Sequence, residues 1–260
     1  MSLINLKLPE NLLQAVKTLC KAGSSFCVAK ANAAIVGSTS IAGNPELVRK
    51  NAVKNNIKRV LLTSSGGVYG PQPDGLEKIP ESYLGIPDPL DPLNAYSIGK
   101  RAAEHLCSLY NDRFGLESVI ARCFSFVGKD LPLRAHFAIG NFIHDALHSD
   151  KITVAGNGAP VRSYMNQADL ASWLLCMLDK GIPGRAYNVG SDEGISISEL
   201  AHLVRDILSP SKPVILKNTA TTFHGRNIYI PDISAAKNDF NLDVTISLRE
   251  SIAQFSRRSD

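Results

Sequence analysis

Lys58-Arg-Val-Leu-Leu-Thr-Ser-Ser-Gly-Gly-Val-Tyr-Gly70 begins as a strand and ends as a loop. Its first half is a short β-rich apolar run, and Gly66, Gly67 and Gly70 punctuate its close. Downstream, over residues 92–114, Ala95, Ile98, Ala102, Leu106 and Leu109 recur at helical spacing, and Gly115 follows as a stop signal. Ser118-Val-Ile-Ala-Arg-Cys-Phe124 is a second buried strand. Strand, long helix and strand predict a right-handed crossover between parallel strands, so the fold class is α/β. Residues 45–56 are expected to form the helix before the first of these strands. Further on, residues 137–149, 167–180 and 198–208 have helical patterns, and residues 152–155, 186–189 and 227–230 have strand patterns. Residues 245–255 are expected to form a closing helix capped by Ser247.

The composition sets outer limits on function. The chain has 260 residues, 44% hydrophobic and 20% charged, enough for a large core and far from the composition of a disordered chain. Its net charge of +4 is small and scattered, which argues against a nucleic-acid partner and suits a small anionic ligand. The five cysteines, Cys20, Cys27, Cys107, Cys123 and Cys176, contain no C-x-x-C pair and are odd in number. A reducing, cytoplasmic compartment is therefore expected. No stretch has the length of a membrane span, the longest apolar run lying around residues 173–178, and neither signal peptide nor anchor is expected. His136, His144 and His148 share a segment without carboxylates or cysteines at ligand spacing, so no metal is expected.

Chemistry concentrates on the long helix, where Tyr96-Ser-Ile-Gly-Lys100 sets a phenol and an ammonium four residues apart. Such residues share one helical face. A neighbouring cation favours the phenolate, which makes tyrosine a usable base near neutral pH. The same pair also arises by chance on many helices, so its context matters. Thr63-Ser-Ser-Gly-Gly-Val-Tyr-Gly70, then Pro92-Leu-Asn-Ala-Tyr-Ser-Ile-Gly-Lys100, then Arg122-Cys-Phe-Ser-Phe-Val-Gly128 occur in order. Together they resemble the extended short-chain dehydrogenase/reductase family, in particular the NAD(P)-dependent nucleotide-sugar epimerases and dehydratases, of which UDP-glucose 4-epimerase is typical.

The resemblance implies a Rossmann-like parallel sheet over residues 1–128 and a smaller substrate-binding α/β lobe over residues 129–260, with residues 165–192 returning to the first sheet. It implies that Ser65 hydrogen-bonds the reacting sugar oxygen, that Tyr96 is the acid/base, and that Lys100 lowers the pKa of Tyr96 and holds the nicotinamide ribose. Phe124 would lie against the cofactor. Ser125, Asn141, Arg162 and Arg226 would meet the nucleotide sugar, and Asp169 would be structural. Asn141 is read equally well as a surface or capping amide, and Ser64 as a satisfied serine at the strand end. A homodimer formed through the Tyr96 helix is also expected by resemblance.

Three departures from the family pattern shape the functional expectation. Related dehydratases carry an Asp-Glu pair after the active-site hydroxyl, where this chain has Gly66 and Gly67, so reversible oxidation at one sugar carbon fits better than dehydration. Ser125 stands where many relatives have Asn. No intact G-x-x-G-x-x-G turn is present, and its nearest match is Ala34-Ile-Val-Gly-Ser-Thr-Ser-Ile-Ala-Gly43, with Ser40 in place of the middle glycine. A β-carbon there would crowd the approach of a phosphate. Gly37 and Gly43 are accordingly expected to be loop glycines, and the dinucleotide-binding part is expected to be N-terminally truncated. Three functions remain in view: an NAD- or NADP-dependent nucleotide-sugar epimerase or oxidoreductase, a truncated relative that binds a nucleotide sugar without turnover, and a reductase acting on a non-sugar carbonyl.

Overall fold

The computed structural model describes residues 27–30, 33–37, 58–131, 133–134, 137–217 and 228–256. In chain order the strands begin with β1 (Cys27–Lys30), β2 (Ala33–Gly37) and β3 (Arg59–Ser65), after which helix α1 (Ala95–Phe114) leads to β4 (Glu117–Cys123) and β5 (Phe126–Val127). Then come α2 (Ala138–His148), β6 (Ile152–Val154), β7 (Val161–Arg162), β8 (Met165–Asn166), α3 (Gln167–Lys180) and β9 (Ala186–Val189). The remainder is β10 (Ile195–Ser196), α4 (Ile197–Leu208), β11 (Val214–Leu216), β12 (Ile228–Tyr229), α5 (Ser234–Phe240) and α6 (Leu248–Ala253).

Among the described residues the largest sheet runs in the order β1-β2-β3-β4-β9. Strands β2, β3, β4 and β9 are parallel, and β1 joins β2 antiparallel at the edge. Side chains alternate across this sheet with the strand period of two. Val60 and Leu62 pack with Ala103 and Cys107 of α1 and with Ile120. Leu61, Val119 and Ala121 pack on the opposite face against Trp173, Leu174 and Met177 of α3. Burial on both faces is why β3 and β4 are near-continuous apolar runs, as the crossover expectation requires.

A second core joins α2, α4 and β6 through Ile139, Ile143, Leu200, Val204 and Ile152. Strand β11 pairs with β6 in parallel, and β12 pairs in parallel with β7, which pairs antiparallel with β10.

The local signals explain most boundaries. Gly115 ends α1 in the left-handed conformation, at φ 63°, with its N–H returned to Asn111 and Tyr110. Ser247 caps α6 through a capping box with Glu250. That last helix starts at Leu248 rather than at 245, because Thr245 and Ile246 are bound by Asp169. One expectation is corrected: Gly37 is not in a loop but is the last residue of β2, paired with Thr63 of β3. The run Ala33-Ala-Ile-Val-Gly37 is a strand because it lies directly beside β3 and completes a parallel ladder. Gly43 and the helix expected over residues 45–56 lie outside the described residues.

Candidate active site

Strand β3 and helix α1 bring the first three predicted residues together. At the end of β3 the backbone of Ser65 is extended, its side chain accepts a hydrogen bond from Gly67 N at 3.0 Å, and Gly66–Tyr69 turn as a short 3-10 helix. Tyr96 and Lys100 occupy the first turns of α1. Ser65 lies close enough to the hydroxyl of Tyr96 to act on its titration. Lys100 is buried, and its Nζ donates to the carbonyl oxygen of Thr63 at 2.8 Å while lying 5.4 Å from the centroid of the Tyr96 ring. Cys123 is paired across the ladder with Ser65 and flanks the group.

The electrostatics differ from the sequence-based expectation in one respect. Tyr96 titrates above the ordinary tyrosine value because burial desolvates it; Ser65 opposes this, and Cys123 adds to it. The residue as a whole is 63% exposed, which limits that effect. Lys100 does not dominate the phenol, since its ammonium is committed to the Thr63 carbonyl. Burial pushes Lys100 below the usual lysine range, opposed by Cys123 and Glu104.

Behind the strand end lies a polar network that sequence patterns did not single out. Arg122 grips Glu104 through Nε to Oε1 at 3.1 Å and Nη2 to Oε2 at 2.8 Å, a bidentate geometry. Burial works against the charge on Arg122, and Glu104 more than offsets it, so the guanidinium stays charged. Arg122 also donates to Tyr69 Oη at 2.9 Å, and that hydroxyl donates to Asn188 Oδ1 at 2.8 Å. Burial drives Tyr69 up to about 12 against the pull of Arg122. Ser64, a strand-end serine in the sequence reading, donates to Glu104 Oε1 at 2.5 Å. Glu104 lies four residues after Lys100, and this repeated spacing was the available signal.

The substrate-side residues divide into two groups. Ser125, Asn141 and Arg162 line one cavity of about 410 Å³ between β6, β7 and α2, together with Phe142, Gly156 and Tyr164. Asn141 is on the exposed side of α2, and the main chain of Ser125 receives Met165 N at 3.0 Å. The guanidinium of Arg162 stands 6.0 Å from the centroid of Tyr229, whose ring stacks on Phe124 at 4.5 Å. Phe124 thus bridges the cavity side and the loop after Ser65, packing over Gly66. Ser65, Tyr96 and Lys100 do not line the cavity itself. Asp169 accepts hydrogen bonds from Thr245 N, Thr245 Oγ1 and Ile246 N, an anchoring role. Arg226 lies outside the described residues.

Residues 3–190 match the sequence profile of the NAD dependent epimerase/dehydratase family. The chain belongs to that family. Among curated relatives of the family, UDP-glucuronic acid decarboxylase 1 of Arabidopsis thaliana is 34% identical over 195 residues, covering 75% of this chain and 43% of its own length. UDP-glucuronic acid decarboxylase 1 of Danio rerio is 30% identical over 203 residues, covering 76% of this chain and 47% of its own. The chain therefore spans about half the length of these epimerase/dehydratase relatives. Two solved structures of similar fold are RMD from Pseudomonas aeruginosa complexed with NADPH and a UDP-glucose 4-epimerase with UDP-glucose from Thermotoga maritima. The first has a TM-score of 0.71 at 21% identity and covers 86% of this chain and 80% of that one. The second has a TM-score of 0.69 at 21% identity and covers 84% and 72%. The parallel sheet with helices on both faces is thus the Rossmann-like fold of the family. No described helix is long and apolar enough to cross a membrane.

Proposed function

We propose that this chain is a nucleotide-sugar epimerase or oxidoreductase in which Ser65, Tyr96 and Lys100 move a proton while a nicotinamide cofactor exchanges a hydride with a sugar carbon. The observation that carries this reading is the meeting of Ser65, Tyr96 and Lys100 at the carboxyl ends of parallel strands. That edge is where open α/β sheets receive dinucleotides, so these residues fit the ribose and nicotinamide end of NAD or NADP. Residues 38–57, which follow β2 in the sequence, lie outside the described residues. The family relatives, named for UDP-glucuronic acid, UDP-glucose and NADPH, support a nucleotide sugar as substrate and NAD(P) as cofactor.

When bound, the cofactor supplies the hydride acceptor and donor. The remaining work falls to side chains of this chain. Tyr96 Oη takes the proton of the sugar hydroxyl, and Ser65 Oγ hydrogen-bonds the same oxygen and stabilises the phenolate. Lys100, close to the ring and held by Thr63, is placed to hold the nicotinamide ribose when the cofactor is bound. Arg162 has the planar donor fork that suits a diphosphate, and it lines the cavity with Asn141 and Ser125. Gly66 and Gly67 offer no acid or base beside Ser65, which favours oxidation and return at one carbon over elimination of water.

A second reading, binding without turnover, is favoured by one observation: Ser40 occupies the place of the middle glycine in the nearest match to a phosphate-binding turn. Calorimetric titration with NAD, NADH and the phosphorylated forms, followed by UDP-glucose and UDP-glucuronic acid with chromatographic product analysis, separates the two. Cofactor binding with sugar turnover is expected. No cofactor binding at millimolar concentration, with nucleotide-sugar binding retained, overturns the enzymatic reading in favour of the second.

A further inference from the structure

Ser64 and Glu104 lie immediately behind the residues assigned to proton transfer, and neither lines the cavity. On α1, Tyr96, Lys100 and Glu104 are spaced four apart and form one stripe along the helix. On β3, Thr63, Ser64 and Ser65 are consecutive. Each member of the stripe meets one of the three: Tyr96 meets Ser65, Lys100 meets the Thr63 carbonyl, and Glu104 meets Ser64. The strand period puts the side chain of Ser64 on the face of Val60 and Leu62, the face that packs on α1.

The acceptor in this contact is itself fixed. Both oxygens of Glu104 are engaged by Arg122, Arg122 is tied to Tyr69, and Tyr69 to Asn188 in β9. The side chain of Glu104 is 11% exposed and Ser64 is 3% exposed, so water does not compete for the bond. A strand end pinned at Ser64 has little freedom left at Ser65, one peptide further along.

We infer that the Ser64–Glu104 hydrogen bond is a positioning contact, which sets strand β3 against helix α1 so that Ser65 stays beside the hydroxyl of Tyr96. Ser64 and Glu104 act through Ser65 and Tyr96 and do not touch substrate. The inference rests on the proposed roles of Ser65 and Tyr96, but the contact is measurable without cofactor or substrate.

The test is the titration of Tyr96 in the whole chain, followed by NMR of isotope-enriched tyrosine Cζ and assigned with Tyr96→Phe. The groups facing the phenol are Lys100 on its own helix, Ser65 on β3 and Cys123 on β4, and none of them is altered in Ser64→Ala. Ser65 lowers the pKa of Tyr96, so drawing it away moves the titration upward. Ser64→Ala is expected to raise the midpoint by about half a pH unit, the scale of one weakened polar contact. Ser65→Ala gives the full shift for reference, and Ser64→Thr returns the midpoint toward the parent value. Glu104→Asp keeps the charge beside Arg122 while withdrawing the carboxylate from Ser64, and it is expected to shift Tyr96 as Ser64→Ala does. Coincident titrations of the parent and Ser64→Ala, or a Ser65→Ala protein with an unmoved Tyr96, overturn the inference. Where nucleotide-sugar turnover is observed, Ser64→Ala lowers kcat about tenfold with KM unchanged. A parent chain without turnover defeats the proposed function and leaves the NMR result to decide the positioning role.

Discussion

Tyr229 holds its hydroxyl 2.5 Å from the point where a β-carbon on Gly66 would stand, and the ring of Phe124 comes within 2.7 Å of the same point. The two rings are stacked, so neither retreats without disturbing the other. Gly66 is thus required by close approach of aromatic side chains.

Gly66→Ala is expected to cost roughly 1–3 kcal/mol through overpacking, read as a lowered Tm in calorimetry. Adding Tyr229→Phe removes the nearest atom and restores part of the loss. A Gly66→Ala protein as stable as its parent would show that the aromatic pair yields freely.

Tyr96→Phe keeps the ring and deletes the hydroxyl. Because the residue is 63% exposed, the fold is expected to be unaffected, with Tm within a degree or so of the parent. Turnover of a nucleotide sugar is expected to fall roughly hundred- to ten-thousand-fold, the usual contribution of a general acid or base. Since Tyr96 titrates above the ordinary tyrosine value, activity in the parent rises with pH through the neutral and mildly alkaline range.

Asp169→Asn replaces one of the two oxygens that accept from Thr245 N, Thr245 Oγ1 and Ile246 N by an amide nitrogen and removes the charge that strengthens the remaining bonds. The expected loss is roughly 1–3 kcal/mol, with faster hydrogen exchange over residues 245–253 than in the parent. Unchanged exchange in that segment would remove the anchoring role.

Glu81 is pushed above the usual carboxylate range by burial, opposed by the hydrogen bond it accepts from Asn188 N at 2.8 Å. A raised folded-state pKa means that the native chain holds this proton where the unfolded chain has lost it. Stability therefore falls as pH rises through the interval between the two values, and the penalty is complete above it. Glu81→Gln retains an oxygen for Asn188 N and removes the charge. Its Tm is expected to exceed that of the parent at pH near 7, and the difference to shrink on acidification below about pH 4.

The helix bearing Tyr96 was legible because apolar residues recur at helical spacing and Gly115 takes the left-handed conformation that ends it. The face it buries, however, is that of Ser97, Lys100, Ala103 and Cys107 rather than that of Ala95, Ile98, Ala102, Leu106 and Leu109. Strands β3 and β4 were legible because both faces are covered, which makes their apolar runs continuous. Ala33–Gly37 was harder to read, since a five-residue run with a terminal glycine fits a phosphate-binding turn as well as a strand, and its pairing with β3 decides between them. Strand β11 carries an exposed Ile215 between two half-buried neighbours, too little pattern to identify from local sequence. At the site, Ser65, Tyr96 and Lys100 could be singled out because chemistry restricts the residue types. Glu104, Arg122, Tyr69 and Asn188 could not, because a buried hydrogen-bond network is defined by which distant strands adjoin, and that adjacency is tertiary.

Asn188 has a bearing on how the chain folds. Its side-chain amide donates to Ile79 O, 109 residues earlier, and to Asp232 O, 44 residues later, and Ile79 bridges Pro231. One side chain in the principal sheet thereby ties together three stretches that no local turn connects. Loops of that length are slow to close, and their closure is rewarded only once all three stretches have arrived. Completion of this junction belongs late in folding, after β3, α1 and β4 have formed through nearer contacts.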